Sequence, residues 1–457
     1  MTQNDALAIL KSGRNVFLTG EPGSGKTHAV NLFVAWLKEN SVRPAITAST
    51  GIAATHIGGY TLHSWSGIGV RSVLTSADLD RIMKNKRVIG RMRGASVLII
   101  DEISMLSAPV FEMAEVVCCR VRGSSAPFGG MQVVLVGDFF QLPPIAPREA
   151  QDDPESLFGA RTRSGEDLFA FASPLWNTLN LVSCYLSEQY RQEDAAFLEV
   201  LSAVRRGEVS PIHRALLESR FSASQKPEQI ITQLFSHNAD VDRVNKEELK
   251  NLIGKELIFE MTNRGSKALV AEIKRGCLSP ETLAVKIGAR VMFTKNNFDE
   301  GFVNGTTGVI SGFSKESGYP IVEVRNGERI IAEPMDWSIE EGGRVLALVR
   351  QVPLRLAWAI TIHKSQGMSL DAAHIDLSSA FEYGQGYVAL SRVRTLAGLS
   401  LAGLNDRALE VHPRIREFDA KLRSLSRAAQ EEFSNFNGSD LARLHRDFVS
   451  RCTGRGF

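Results

Sequence analysis

At 457 residues the chain is too long for one hydrophobic core, and 44% hydrophobic with 23% charged residues fits a soluble globular protein of roughly two or three domains. A net charge of +2 excludes an overall polycation or polyanion, so any basic surface is local. The five cysteines (Cys118, Cys119, Cys184, Cys277 and Cys452) form no C-x-x-C pair, which argues against a disulfide framework or zinc module and for reduced thiols in a cytosol-like compartment. No apolar run is long enough to cross a bilayer, and MTQNDALAIL lacks the pattern of a secretory signal.

Residues 1–13 read as an amphipathic helix with Ala6, Leu7, Ile9 and Leu10 on its apolar side. A short apolar run, Val16-Phe17-Leu18, leads into Gly20-Glu-Pro-Gly23-Ser24-Gly25-Lys26-Thr27. This is G-x-x-x-x-G-K-[ST], a phosphate-binding loop. Gly20, Gly23 and Gly25 let the backbone aim N–H groups inward beside Ser24. A helix starting near Lys26 adds the positive end of its dipole. Lys26 reaches β- and γ-phosphates, and Thr27 offers a hydroxyl to Mg²⁺.

That helix runs to about Glu39, and Pro44–Thr50 reads as a strand and its end. Residues 66–95 are basic and carry no strand signal: Arg71, Arg81, Lys84, Lys86, Arg87, Arg91 and Arg93 face only Asp78 and Asp80. They predict a small helical insert that is either a solvated face or a nucleic-acid contact. Residues 96–100 and 131–136 are apolar runs of the buried parallel-strand kind, each followed by acids (Asp101-Glu102, then Asp138). Strands alternating with helices predict a parallel sheet whose ligands lie at the strands' carboxyl ends. From about 181 the alternation restarts, with strands at 182–187 and 229–235 and helices at 194–206 and 239–252, and we read a second α/β domain there. Between about 288 and 351 short β segments predict an inserted antiparallel barrel, with Asn304-Gly305 and Asn326-Gly327 as hairpin signals. Residues 413–451 read as a helical, modestly basic tail.

Three further segments carry chemistry. VLIIDEISM (97–105) holds Asp101 at a strand end, where it binds Mg²⁺, with Glu102 placed to take a proton from attacking water. Adjacent acids at a buried strand end are costly unless a metal or substrate uses them. In VVLVGDFFQLPPI (133–145) the neutral Gln141 suits sensing of a γ-phosphate, and Pro143-Pro144 stiffens a segment able to relay nucleotide state. Arg191 and Arg392 are the candidate cations for the charge that spreads over γ-oxygens, where one arginine contributes about 10³–10⁵ in rate. Gln3 has an amide suited to the adenine edge, or to a plain surface.

In order, these segments are GEPGSGKT, TASTGIAATHIGGYTLHSW (47–65), IIDEISM, GDFFQLPPI, LSEQYRQEDAAFLEVLSAVRRGEVS (186–210), LFSHNADVDRVN (234–245), LAWAITIHKSQGMSLD (356–371) and GYVALSRVRTLAGL (386–399). The set resembles the petite-integration-frequency (PIF-type) DNA helicases of superfamily 1B, from Gln3 to about Leu404. The resemblance implies an α/β fold of two RecA-like P-loop domains with ATP in the cleft between them: 1–180, with a helical wedge insert at about 60–95, and 181–410, with an SH3-like β insert at about 291–345. Residues 411–457 match no motif of the family. It implies ATP and Mg²⁺ as cofactors and an ATP-dependent 5′→3′ motor that translocates on single-stranded DNA and unwinds duplex DNA in replication, repair, recombination or genome maintenance, telomere maintenance included. Gln3 is then the adenine reader, and Gly20, Gly23, Ser24, Gly25, Lys26 and Thr27 the phosphate site. Thr27 and Asp101 bind the metal, Glu102 is the base, and Gln141, Arg191 and Arg392 sense the γ-phosphate, with Arg392 as the finger. Gln366 couples the nucleotide to DNA, which Thr50, His63, His237, Asn238, Thr361, His363 and Lys364 contact. Partners implied are single-stranded DNA and forked or tailed duplexes, with G-quadruplexes and RNA–DNA hybrids as further substrates, a monomer on DNA, no membrane, and a cytoplasmic or nucleoid setting. Trp65 and Trp358 either stack on bases or pack in cores, and core packing is the better expectation. Two other classes remain open: a translocating subunit that does not unwind alone, and an ATP-dependent binding switch.

Overall fold

Apolar runs bounded by glycine, proline and acids become buried strands here. The computed structural model describes residues 1–457 except 58, 70–72, 145–167, 189–193, 222–230, 237, 298, 325, 342–343 and 455–457. The chain divides into two compact units. The first comprises Met1–Phe139, Pro143–Arg191 and Glu417–Phe457; the second comprises Phe140–Leu142 and Gln192–Arg416.

In the first unit, β1 (Val16–Gly20), β2 (Pro44–Ala48), β3 (Tyr60–Thr61), β4 (Val97–Asp101), β5 (Gln132–Val136) and β6 (Val182–Leu186) form one parallel sheet in the order β3-β2-β4-β5-β1-β6. β1 is buried at all five positions because it lies between β5 and β6, with Val16 opposite both Val134 and Val182. This corrects the placing of 182–187 in a second domain. The apolar face of Cys184 and Leu186 completes the core around β1, which local alternation does not reveal. Helix α1 (Gln3–Lys11) opens on a capping box in which Thr2 Oγ1 accepts from Asp5 N–H at 3.2 Å and the Asp5 carboxylate accepts from Thr2 N–H at 3.1 Å. Helix α2 (Lys26–Glu39) packs Phe33, Val34 and Leu37 into the same core.

The C-terminal residues are part of this unit. Helices Pro413–Ser434 and Gly438–Thr453 supply Ala429, Phe433, Phe448 and Val449 to the core that holds Ile9 and Leu10 of α1. Phe448 stacks on Trp36 with centroids 6.3 Å apart, and His445 Nε2 lies 3.1 Å from the carbonyl of Ala8. The basic insert is helical, at Ser76–Met83 and Lys86–Gly94. Two of its arginines serve packing: Arg91 binds the carbonyls of Ser64 and Trp65, and Arg93 that of Val121.

The second unit contains a four-stranded parallel sheet interrupted by a large β insertion. The strands are β7 (Thr232–Phe235), β8 (Leu257–Glu260), β9 (Thr262–Gly265), β10 (Thr282–Val285), β11 (Arg290–Phe293), β12 (Thr307–Phe313), β13 (Pro320–Val324), β14 (Arg329–Ile331), β15 (Met335–Glu341), β16 (Arg344–Gln351), β17 (Leu354–Leu356), β18 (Ala359–Thr361), β19 (Ala373–Leu377) and β20 (Leu399–Leu404). The parallel sheet has the order β18-β7-β19-β20. Everything from β8 to β17 is antiparallel, in sheets β14-β13-β12-β11-β17, β15-β16-β9 and β10-β8. The insertion therefore spans 257–356, wider than the expected 291–345. Its early strands are mostly exposed: β9 reads Thr-Asn-Arg-Gly, with no apolar residue to announce it. Asn326-Gly327 does lie at the turn between β13 and β14, with Gly327 N–H donating to Val324 C=O at 2.9 Å. Asn304-Gly305 does not make a tight hairpin; it belongs to the connection 294–306, where Gly305 N–H donates to Phe293 C=O.

Candidate functional site

The phosphate loop follows β1 directly. Gly25 is the residue before α2, at φ +84°, and no side chain caps the helix, so its first N–H groups are not claimed by a cap. A Cβ on Gly25 would collide with the amide of Gln3, so glycine is required there on two counts. Gln3 Nε2 donates to the carbonyl of Ser24 at 3.3 Å, which lays the α1 glutamine across the loop. Lys26 Nζ donates to the carbonyls of Gly20 at 2.8 Å and Glu21 at 3.1 Å. Thr27 is exposed.

Asp101 ends β4, and its Oδ1 accepts from Glu102 N–H at 2.9 Å. Burial pushes the Asp101 carboxyl above its usual range, against the opposing pull of that N–H and of the Lys26 charge. Lys26 thus lies within electrostatic reach of the Asp101 carboxyl. Glu102 adopts φ +51°, ψ +46°, a left-handed backbone uncommon for a non-glycine residue and found more often at functional sites. Around these residues, the buried hydroxyls of Ser24, Ser49 and Ser104 have no hydrogen-bond partner among the described residues. Ser24 lies in the loop, Ser49 donates its backbone N–H to Asp101 C=O, and Ser104 follows Glu102. Sequence reasoning passed over Ser49 and Ser104, whose only signal is their place beside the acidic pair.

In the second unit, Gln141 and Gln366 are brought together. Both are buried, and Gln366 Nε2 donates to Gln141 Oε1 at 3.1 Å. The preceding Phe140 stacks under the guanidinium of Arg205 at 4.1 Å, and Arg205 Nη1 donates to Tyr387 Oη at 2.9 Å. Arg392 is 1% exposed; its guanidinium donates to the carbonyls of Val388 (2.9 Å) and Met368 (3.3 Å) and to Ser391 Oγ (2.8 Å). Arg191 and His237 lie outside the described residues, and Asn238 begins the helix Asn238–Asn251.

The remaining nucleic-acid candidates differ in exposure. Thr50 Oγ1 accepts from Ala53 N–H at 3.2 Å, and His63 is half-buried in a helix that Arg91 ties down. Thr361 is buried, its Oγ1 accepting from Lys364 N–H at 3.3 Å. Burial lowers the affinity of His363 and of Lys364 for protons. Trp65 and Trp358 are both buried, with Trp358 inside the β-insertion core, so packing accounts for both. Sequence reasoning also passed over Arg355, a lone cation in the apolar stretch PLRLAWAI.

Among the described residues no helix is long and apolar enough to cross a membrane, and no cluster of three or more His, Cys, Asp or Glu forms a metal-binding group. The profile of the PIF1-like helicase family matches residues 4–214. The ATP-dependent DNA helicase Pif1 of Psychrobacter is 41% identical over 99% of this chain and 75% of its own length. Among solved structures, Pif1 from Bacteroides in complex with ADP-AlF4 superposes with a TM-score of 0.78 at 28% identity, covering 92% of this chain and 96% of that one. Bacteroides Pif1 bound to single-stranded DNA covers the same shares with a TM-score of 0.64 at 28% identity. With RecA-like parallel sheets, a phosphate loop and relatives of this closeness, the chain belongs to the PIF1-like family of ATP-dependent DNA helicases.

Proposed function

We propose that this helicase moves 5′→3′ along single-stranded DNA and separates forked or tailed duplexes, drawing on Mg²⁺-dependent ATP hydrolysis at the loop Gly20–Thr27. The observation that carries the reading is the convergence of Lys26 and the Asp101–Glu102 pair beside a helix with no side-chain cap. The Bacteroides relative's complexes with ADP-AlF4 and with single-stranded DNA support the two ligand classes.

The residues suit Mg²⁺ and ATP. The orphaned hydroxyls of Ser24, Ser49 and Ser104 are buried polar atoms that a bound polar group would satisfy. Mg²⁺ takes few protein ligands and shares phosphate oxygens, so Thr27 and Asp101 suffice. Bound there, the ion supplies charge neutralisation at the phosphates. Lys26 exchanges its two carbonyl partners for phosphate oxygens. Glu102 accepts the proton of the attacking water, and its fixed backbone aims the carboxylate. Gln3 reads the adenine edge from α1. Gln141 senses the γ-phosphate and passes its state to Gln366 through their hydrogen bond. Arg191 and Arg392 supply the cations; Arg392 does so only by giving up bonds it holds within its own unit. Thr50, His63, His237, Asn238, Thr361, His363 and Lys364 hold the strand, mostly at its phosphates and sugars, which positions without reading sequence. G-quadruplexes and RNA–DNA hybrids fall within the same backbone-gripping chemistry, and a monomer is sufficient for it.

Lys26→Ala tests the site. ATP hydrolysis stimulated by single-stranded DNA is expected to vanish while binding of the strand persists. Retained turnover in that variant removes the phosphate loop from the mechanism.

A further inference from the structure

In the second unit, β17 has two faces. Leu354 and Leu356 belong to the β-insertion core, so the alternation of a strand turns Arg355 to the opposite side. Nine residues later Lys364 follows β18; burial depresses its ammonium, and the charge of Arg355, within electrostatic reach, depresses it further. Neither finds a contact partner among the described residues. The Arg355 Nε is buried without an acceptor, and Lys364 hydrogen-bonds among the described residues through its backbone N–H, to Thr361 Oγ1. One acid, Asp242, attracts both cations; it is exposed on helix Asn238–Asn251 and forms no ion pair with either. A buried Nε–H with no acceptor, on a half-buried guanidinium within electrostatic reach of a second cation, opposes folding. Such a pair is stabilised by an anion that arrives later.

We propose that Arg355 and Lys364 together form a phosphate seat, and that its occupant is a backbone phosphodiester of the single strand on which this helicase moves. The inference rests on the DNA-motor reading above and adds a residue to it. Arg355 suits the task because its planar fork donates to two phosphate oxygens at once, while Lys364 adds a point charge.

The test is the salt dependence of binding of the full chain to a short fluorescent oligothymidylate, for the wild type, Arg355→Gln and Arg355→Lys. For single strands each neutralised phosphate contributes about 0.7 to the slope of log K against log salt. The expected result is a slope shallower by about 0.7 in Arg355→Gln, with a several-fold weaker Kd at physiological salt, and a near wild-type slope in Arg355→Lys. Thermal melting without DNA should leave Arg355→Gln at least as stable as the wild type, because the substitution removes a repulsion. Unchanged slopes in both variants overturn the seat while leaving the motor intact. A raised KM for ATP without DNA, at an unchanged DNA slope, assigns the cation to nucleotide phosphate and overturns the proposal. A lower Tm in both variants marks Arg355 as a packing residue and does the same. A wild type that shows no salt-dependent binding of the strand overturns the motor reading along with it.

Discussion

Glu102 holds a left-handed backbone that costs a non-glycine residue of order 1–3 kcal/mol, and the flanking Asp101 is kept above its ordinary pKa by burial. Both costs are borne at one strand end. Glu102→Gln, which keeps shape and removes the proposed base, should therefore bind ATP while turnover falls by about 10²–10⁴. Equilibrium binding of a fluorescent ATP analogue and steady-state hydrolysis separate the two; normal cycling would place the base elsewhere. The histidines give a second residue-scale expectation. Burial lowers the pKa values of His363, His374 and His445, so the unfolded chain binds more protons than the folded one as the medium acidifies. Stability therefore rises with pH, and what these groups contribute is complete above about 6.5 and lost below it. Tm should fall as pH is lowered through that value, and less steeply in His363→Asn. Identical slopes for the variant and the wild type would show that His363 titrates normally.

At the scale of elements, legibility in the sequence followed range. The phosphate loop and the strand ending in Asp101-Glu102 were readable because each is a local device whose residues act on their own backbone. β6 was misassigned because its partner β1 lies more than 150 residues earlier, and only the sheet shows that β1 has a second edge to cover. β9 escaped because it is exposed at every position and carries no apolar residue, and β8 because its run Leu257-Ile258-Phe259 is apolar throughout, so its sequence does not show the alternation of a half-buried strand. The two C-terminal helices read as a tail without a role, yet they close the core over α1, the helix that carries Gln3. Phe448 fills the space between Trp36 and Gly13, so closely that a Cβ added at Gly13 would collide with its ring. Phe448→Ala should then lower the free energy of unfolding by about 3–5 kcal/mol, read from urea denaturation. A loss below about 1 kcal/mol would mean that the helix is dispensable to the core.

On the scale of the molecule, a near-neutral chain serves as a DNA helicase because what matters is where its cations stand, not their excess over the acids. Arg91 and Arg93 are spent on carbonyls, Arg205 on a ring and a phenol, and Arg392 on its own unit. Arg355 differs from these in that its buried Nε has no acceptor and its guanidinium makes no hydrogen bond or ion pair among the described residues. The sequence pattern exposed the motor class, since its motifs recur in a fixed order. It could not show which cations were already satisfied, because that depends on contacts between residues far apart in the chain.

The central claim is that ATP hydrolysis at Lys26 and Glu102 drives directional travel on a single strand. The most direct measurement is ATP-dependent unwinding of one duplex carrying either a 5′ or a 3′ single-stranded tail. The account predicts strand separation from the 5′-tailed substrate and none from the 3′-tailed one. Unwinding from the 3′ tail alone, or from neither tail while DNA-stimulated hydrolysis persists, would contradict it.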